Sequence, residues 1–276
     1  MKIAVLSDVH GNTPALQAVL ADIQAWGADS VIVNGDLVNR GPCSLAAWGL
    51  LQALRENVYL LRGNHENWVL HAAAHDPNPY SPTHEIDRLV HWTVAQLGNA
   101  LPSLHAWADH LDLDELDGAS LHITHGSRLG DRKGIQPECE GEELRQKLGD
   151  PRALFVVSHT HRAFRRELDG NILINTGSVG QPFDGDVRAS YARLQFWRGR
   201  WQGEIRRVAY DREQAIRDFE QSGFLDQAGA LAPLIFREFV EAQMRVGPWR
   251  RQWLARVQAG EISVAEAVQA YLNAID

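Results

Sequence analysis

Side chains that commonly bind metal ions follow five predicted strands of this chain. Each group comes directly after an apolar run, at the point where a strand would end. In an open α/β sheet, the carboxyl ends of the strands face one crevice, and ligands bind there. We therefore expect these side chains to converge although they lie far apart in the sequence. They are Asp8 and His10, Asp36, Asn64 and His65, His125, and His159 and His161.

Each of these fragments has an ordinary structural explanation when it is taken alone. Asp8-x-His10 is typical of a helix-capping turn, and the Gly before Asp36 is typical of any turn. The pair His159 and His161 could simply support the end of its strand. Five strands that all end in this way are improbable by chance, so the set as a whole predicts a functional site.

Alternating strands and helices are predicted for the first part of the chain. The segments "KIAVLSDVH", "SVIVNGD" and "NVYLLRGNHE" each begin with the branched apolar residues of a buried strand. A helix is predicted after Asn12 or Thr13, where Pro14 suits the first turn, and another near Pro42. Two successive β-α-β units of this kind imply parallel strands with right-handed crossovers.

The pattern loosens over residues 76–118, which we interpret as an insertion near the site. Its Trp92 and Trp107 are candidates for stacking on a base or an aryl group. Later segments alternate apolar and polar residues, as antiparallel strands do. The end of the chain is helical, with a Ser263/Glu266 capping box. We therefore expect a catalytic domain over residues 1–210 and a helical appendage over residues 211–276.

The composition is that of an ordinary globular protein, with 45% apolar and 22% charged residues. A formal net charge of −8 argues against a broadly basic nucleic-acid surface. Eleven arginines from Arg152 to Arg212 leave a local basic face open, so nucleic acid is neither supported nor excluded as a partner. The sequence has no membrane-length apolar run, no signal-peptide pattern and only two cysteines, which favours a cytoplasmic location without membrane attachment. It does not indicate an oligomeric state.

The order of the polar motifs resembles that of the calcineurin-like metallophosphoesterases. The matching segments are Asp8-x-His10, Gly35-Asp36, "GNHE", His125-Gly126 and "HTH", and "NTGSVGQP" resembles a segment of bacterial phosphodiesterase members. The resemblance implies an α/β fold, a four-layer α/β/β/α sandwich of mixed sheets. The C-terminal helical region lies outside the resemblance.

The resemblance also implies a binuclear metal centre. One ion would be held by Asp8, His10, Asp36 and His161, and the other by Asp36, Asn64, His125 and His159. Two neighbouring divalent ions need a shared anionic ligand, which a carboxylate can provide and a neutral imidazole cannot. Imidazole and carboxylate ligands suit Mn, Fe, Zn, Ni or Co rather than Ca or Mg, and Mn is the first expectation.

Three further residues receive roles from the resemblance. His65 would protonate the leaving oxygen, although a supporting role beside the metal ligands is its alternative. Asn39 stands where the protein-phosphatase branch has an Asp that holds this histidine, so it can orient the ring but cannot stabilise its positive charge in the same way. Arg40 would contact the substrate phosphate, unless Arg40-Gly41-Pro42 merely begins a helix.

Two backbone positions carry their own expectations. Ser158 replaces a Gly that is usual in the family, so its backbone must avoid the conformations that only Gly adopts cheaply. Gly63 is expected to allow a sharp turn at the end of its strand.

Together these features predict a metal-dependent phosphoesterase. Metal-bound hydroxide would attack phosphorus in line, and small nucleotide or aryl phosphodiesters are the expected substrates, with monoesters as additional ones. The alternatives within the class are a protein serine/threonine phosphatase and a dinucleoside polyphosphate hydrolase. A catalytically silent scaffold is a third alternative, but such relatives are expected to lose ligands, and here every ligand position is filled.

Overall fold

Two five-stranded sheets form the centre of the protein. The structure is a computed structural model that describes residues 1–54, 57–114 and 119–275. The first sheet has the strand order β10-β9-β1-β2-β3, and the second has the order β4-β5-β6-β8-β7. The strands are β1 (Lys2–Leu6), β2 (Ser30–Asn34), β3 (Asn57–Leu61), β4 (His110–Leu113), β5 (Leu121–Thr124), β6 (Leu154–Val157), β7 (Phe164–Leu168), β8 (Asn171–Asn175), β9 (Ala189–Trp197) and β10 (Arg200–Val208).

Both sheets are mixed, as the sequence predicts. Strands β1, β2 and β3 are parallel, whereas β9 runs antiparallel to β1 and β10 antiparallel to β9. In the second sheet, β5, β6 and β8 are parallel, and the antiparallel strands β4 and β7 lie at its two edges. The parallel strands therefore occupy neighbouring positions in each sheet, and their carboxyl ends lie at a common edge.

Helices cover the outer faces of the two sheets, and further helices form a C-terminal group with an apolar cluster of its own. They are α1 (Thr13–Trp26), α2 (Ser44–Gln52), α3 (Asn64–Ala73), α4 (His84–Leu97), α5 (Gly141–Leu148), α6 (Arg212–Gln221), α7 (Phe224–Gln227), α8 (Ala232–Glu241), α9 (Val246–Gln258) and α10 (Val264–Ile275), with a 3-10 segment over Gly98–Ala106.

Strand β1 shows how its alternating side chains separate the layers. Ile3 and Val5 belong to the apolar cluster between the two sheets, while Ala4 and Leu6 belong to the cluster beneath α1 and α2. All four are almost fully buried because both faces of the strand are covered. Together with α5 on the far side of the second sheet, this arrangement confirms the four-layer α/β/β/α sandwich.

Helix α1 begins as its sequence predicts. The side chain of Asn12 accepts a hydrogen bond from the backbone N–H of Ala15 at 3.1 Å, and Pro14 lies in the first turn. At the other end of the chain, Ser263 and Glu266 form the predicted capping box of α10. These local signals hold because capping depends on residues only three positions apart.

The interpretation of β3 as a buried strand was wrong. It is the edge strand of the first sheet, and Tyr59 is 48% exposed. An apolar run cannot by itself distinguish a central strand from an edge strand that is covered on one face only.

Residues 76–118 contribute to the core as well as to the surroundings of the site. Their segment contains α4, which packs on α3, but it also contains β4, an integral strand of the second sheet. Residues 115–118, where the predicted insertion ends, lie outside the described residues, as does Asp276 at the end of the predicted appendage.

The C-terminal helices have a hydrophobic cluster of their own, which includes Phe219, Phe239 and Trp249. Trp249 and Trp253, which lie one helical turn apart in α9, both pack into it. Leu89 of α4 joins the same cluster, so α4 connects these helices to the sandwich. Among the described residues, no helix is both long and apolar enough to span a bilayer.

The arginines of the segment 152–212 are mostly paired with acidic side chains. Seven of them form ion pairs: Arg152, Arg162, Arg165, Arg188, Arg193, Arg206 and Arg207. This local neutralisation favours a solvated surface over a continuous basic face.

Candidate metal centre

The predicted metal ligands meet at the carboxyl ends of the parallel strands. Three groups of side chains each bring their ligand atoms within 4.8 Å of one another. They are Asp8, His10 and His161; His10, Asp36 and His65; and Asp36, His125 and His159. Asn64 joins the third group, because its Oδ1 lies 3.2 Å from Nε2 of His125.

The Asp36 carboxylate lies between the two predicted ligand sets. Its Oδ2 is 3.2 Å from Nε2 of His125 and 3.9 Å from Nε2 of His10. On the first side, Oδ1 of Asp8 is 3.1 Å from Nε2 of His161. The geometry therefore places one carboxylate where it can serve both ligand sets.

Backbone carbonyls orient three of the histidines. Nδ1 of His10 faces the carbonyl of Asn39 at 3.1 Å, and Nδ1 of His125 faces that of Asn34 at 2.8 Å. Nδ1 of His161 is similarly 2.5 Å from the carbonyl of Gln181. When Nδ1 carries the proton, Nε2 presents its lone pair to the centre of the site, which is how ligand histidines are usually fixed.

The buried polar atoms of the site fit a cation. Oδ1 of Asp8 is buried and has no hydrogen-bond partner among the described residues. A buried carboxylate oxygen without a partner is costly, and a bound cation would remove that cost. Imidazole, carboxylate and amide oxygen donors match divalent transition metals.

The backbone at the site is strained. Seven of the ten described non-glycine residues with positive φ belong to it: Asp8, His10, Asp36, Asn39, Arg40, His159 and His161. Each such residue costs on the order of 1–3 kcal/mol and persists only where its surroundings fix it, which is typical of functional sites. Ser158 is not among the described residues with positive φ, so the expectation that its backbone avoids this region is confirmed.

Comparison with known proteins agrees with this geometry. The family model for calcineurin-like phosphoesterase matches residues 1–189. The chain belongs to the calcineurin-like phosphoesterase family. It is accordingly a metal-dependent hydrolase of phosphoric esters, as the sequence predicts.

Individual relatives of this phosphoesterase span most of the chain. An uncharacterized protein of Methanocaldococcus jannaschii is 30% identical over 77% of this chain and 89% of its own length. Phosphodiesterase YfcE of Escherichia coli is 25% identical over 70% of this chain and 87% of its own. A metallophosphoesterase structure from Sphaerobacter thermophilus has a TM-score of 0.67 at 24% identity and covers 88% of this chain and 99% of that chain, which shows the fold.

His65 of this phosphoesterase is held in place by Asn39, which is itself held by Thr93. The side-chain amide of Asn39 donates to Nδ1 of His65 at 2.9 Å, so the proton of the neutral ring is on Nε2. Thr93 in α4 donates its hydroxyl proton to Oδ1 of Asn39 at 3.0 Å, which fixes the amide. The ring of Trp68 packs edge-on against His65 with centroids 4.4 Å apart.

Burial keeps most of the clustered imidazoles neutral. It lowers the pKa of His65 to about 3 and that of His159 to about 4, and the pKa of His10 also lies well below its usual value because the ring is buried. Burial acts in the same direction on His125, but the carboxylates of Asp36 and Asp8 and the hydrogen bond to the Asn34 backbone together outweigh it and raise the pKa of His125 to about 10. A metal ion at this position would have to displace that proton.

Arg40 does not point freely into the site. Its guanidinium forms an ion pair with Glu238 of α8 and donates through Nε to Oε1 of Gln181 at 3.2 Å. Glu238 is fully buried and also accepts hydrogen bonds from the backbone N–H groups of Arg245 and Val246. The substrate contact assigned to Arg40 therefore stays a prediction, and its positive charge is shared with a carboxylate.

Gly63 has a different role from the one expected. Its φ of −100° is open to any residue, so no sharp turn requires glycine here. A Cβ atom would instead lie 2.1 Å from Oδ1 of Asp36. Glycine is needed because the carboxylate occupies that space, a long-range contact that local turn patterns do not reveal.

Glu66 organises the loop that carries Asp36. Its buried carboxylate accepts backbone hydrogen bonds from Asp36 at 2.7 Å, Leu37 at 2.8 Å and Gly63 at 2.8 Å. Burial raises the pKa of Glu66 to about 7. The sequence signal for this residue is the motif "GNHE" itself, in which the Gly, the Asn and the His were predicted to have roles but the Glu was not.

The two tryptophans assigned to stacking on the substrate lie elsewhere. Trp107 is buried in the cluster under the first sheet and packs on Trp48. Trp92 packs against Phe224. Two other aromatic side chains lie beside the site: Trp68 packs on His65, and Phe183 stacks on His161. Trp68 follows the "GNHE" motif by two positions and could have been found from that proximity.

Proposed function

We propose that this phosphoesterase hydrolyses phosphodiesters with two divalent transition-metal ions, manganese being the first candidate. Asp8, His10, Asp36 and His161 would hold one ion, and Asp36, Asn64, His125 and His159 the other. The observation that carries this proposal is the position of Asp36, whose Oδ2 is within 4 Å of Nε2 of both His10 and His125. Bound ions would supply positive charge that activates water at neutral pH and offsets the charge of the phosphate.

Side chains around the ions would bind the phosphate and assist departure of the leaving group. His65 presents Nε2–H beside Asp36, with Nε2 and Oδ2 4.0 Å apart, and would hydrogen-bond to the departing oxygen. Asn39 would orient that ring. Arg40, held by Glu238 and Gln181, would steady a non-bridging phosphate oxygen. The strained backbone at Asn39 and Arg40 is consistent with residues fixed in place before the substrate arrives.

A phosphodiester is favoured over the other phosphate esters because the Escherichia coli relative, 25% identical over 70% of this chain, is a phosphodiesterase. We also propose a small-molecule substrate and a cytoplasmic location, the latter consistent with two free cysteines.

The test is a substrate panel with the purified protein after metal removal and after loading with manganese or, separately, with iron, zinc, nickel or cobalt. It comprises bis(4-nitrophenyl) phosphate, 4-nitrophenyl phosphate, a cyclic nucleotide, a dinucleoside polyphosphate and a phosphopeptide. We expect manganese-dependent turnover that is highest with the diesters. Highest turnover with the dinucleoside polyphosphate or the phosphopeptide would favour those alternatives, and no turnover with any metal would refute the proposal.

A further inference from the structure

A cavity of about 520 Å³ opens beside the metal centre, and Asn39, Arg40 and His65 form part of its lining. This volume lies within the roughly 300–1,000 Å³ of small-molecule sites. The rest of the lining comes from α3, α4, the segment between these two helices, the loop that carries Arg132, and the C-terminal helices. The cavity therefore joins the site to helices outside the part of the chain that matches the family.

The position of His65 indicates which part of a substrate would enter the cavity. In an in-line displacement, the leaving alcohol departs on the side opposite to the attacking oxygen, where its oxygen needs a hydrogen-bond donor. His65 is that donor in the proposed function, and it lines the cavity. The inference that follows rests on the proposed function in this respect.

Apolar and aromatic side chains form much of the cavity wall. Val90 of α4 and Trp68 of α3 line it, and the almost fully buried Ile235 and Trp249 complete the wall behind them. The ring of Trp68 also packs on His65. Such a wall suits a flat ring that can stack on it.

The fixed charges around the cavity are balanced. Three arginines line it, and two of them, Arg132 and Arg250, are matched in number by the carboxylates Asp76 and Asp87. The charge of Arg40 is compensated by Glu238. A second phosphate group would therefore not be attracted to the cavity by a net positive charge. An uncharged group can still form hydrogen bonds with both the arginines and the carboxylates.

We infer that this cavity is the leaving-group subsite and that it takes an uncharged aromatic alcohol of nucleoside size. The C-terminal helices would thus determine substrate choice through Ile235 and Trp249, although they supply none of the predicted metal ligands. The inference separates a nucleoside phosphodiester from a dinucleoside polyphosphate, because the latter carries further negative charge on its leaving group.

Binding of adenosine to the manganese-loaded protein tests the cavity directly. We compare the wild type with Val90→Trp, which fills the cavity, and Ala95→Trp, a matched control because Ala95 is exposed on the same helix and does not line the cavity. Calorimetry should show adenosine binding to the wild type and the control, weakened roughly tenfold or more in Val90→Trp through the lost stacking contact. Inorganic phosphate should bind all three proteins alike.

The outcomes separate this inference from the proposed function. Phosphate binding and diester turnover without adenosine binding would overturn the subsite and leave the proposed function standing. Loss of adenosine binding in both variants would also overturn it. Absence of turnover and of phosphate binding would instead refute the proposed function.

A second comparison tests the charge balance. The wild type is assayed with methyl 4-nitrophenyl phosphate and with its 3-carboxy derivative, whose leaving group carries an added negative charge. We expect kcat/KM to be equal or higher for the uncharged leaving group after correction for leaving-group pKa. A clear preference for the carboxylated substrate would contradict an uncharged occupant.

Discussion

Hydrogen bonds from residues outside the ligand sets hold the side chains of the metal centre in place. Asp8 shows this, because the hydroxyl of Ser7 donates to its Oδ2 at 2.7 Å and that of Ser178 donates to its carbonyl at 2.7 Å. Its positive φ is thereby fixed from two separate parts of the chain. Strain at a single residue persists when its neighbours determine the conformation more strongly than the residue itself does.

Replacing Thr93 by Val should reduce turnover by loosening Asn39 and, through it, His65. The substitution keeps the shape of the side chain but leaves Oδ1 of Asn39 buried without its donor at 3.0 Å, which costs about 1–3 kcal/mol. Thr93→Ser keeps the hydroxyl and is the matched control. Steady-state kinetics measure the change in turnover, and urea unfolding measures the change in stability. Equal kcat in Thr93→Val and Thr93→Ser would show that the hydroxyl does not position His65.

Replacing Gly63 by Ala should disturb the Asp36 carboxylate. The added Cβ would lie 2.1 Å from Oδ1 of Asp36, and overpacking of this kind costs about 1–3 kcal/mol. The control is Gly49→Ala, an exposed position of α2 where no atom lies within 4 Å of the new Cβ, and there we expect a gain of about 0.5–1 kcal/mol. Thermal unfolding measures the stability of both variants, and elemental analysis measures their metal content. A Gly63→Ala protein with the stability and metal content of the wild type would contradict the predicted clash between the new Cβ and the Asp36 carboxylate.

Helix α8 links the C-terminal helices to the metal centre. Glu238 faces the loop after β2, where it pairs with Arg40, and it also caps the start of α9 through two backbone N–H groups. Its carboxylate therefore holds both the connection between α8 and α9 and the side chain of Arg40, the predicted substrate contact. Buried charges of this kind are stable only while every partner is present.

Replacing Glu238 by Gln should destabilise the protein and weaken substrate binding. Arg40 keeps its charge while its buried partner is lost, which costs about 3 kcal/mol. Glu241→Gln on the same helix is the control, because Glu241 pairs with Arg245 at a more exposed position and such pairs contribute about 1 kcal/mol or less.

Urea unfolding gives the stability difference, and the KM for bis(4-nitrophenyl) phosphate reports on Arg40. We expect KM to rise in Glu238→Gln alone, with a smaller change in kcat. The same KM in both variants would show that Glu238 has only a structural role.

Much of the architecture of the whole molecule is predictable from its sequence. The parallel strands, the capped helices α1 and α10 and the convergence of the polar strand ends all follow from residues that are close in sequence or from the general rule for α/β sheets. Asp36 and His125 illustrate the point. Each follows the end of its own strand, and the two sheets then place Oδ2 of Asp36 3.2 Å from Nε2 of His125.

Other features depend on contacts that local patterns do not contain. In the sequence, Glu238 is one charged residue among others in an amphipathic helix. Its ion pair with Arg40 forms only because α8 packs beside the loop after β2. Trp107 seemed to belong to the site, but a tryptophan in a loosely patterned segment is equally suited to filling the core beside Trp48. The edge position of β3 likewise follows from strand order, which only the complete fold determines.

The central claim is that Asp36 joins two metal ions in one centre, and the metal content of the purified protein tests it most directly. After loading with manganese and removal of free ions, elemental analysis should give two ions per wild-type chain and a loss of metal from both positions in Asp36→Asn. Asp109→Asn, at a residue whose side chain is 69% exposed, should retain both ions. Two ions per chain in Asp36→Asn, or none in the wild type, would contradict the account.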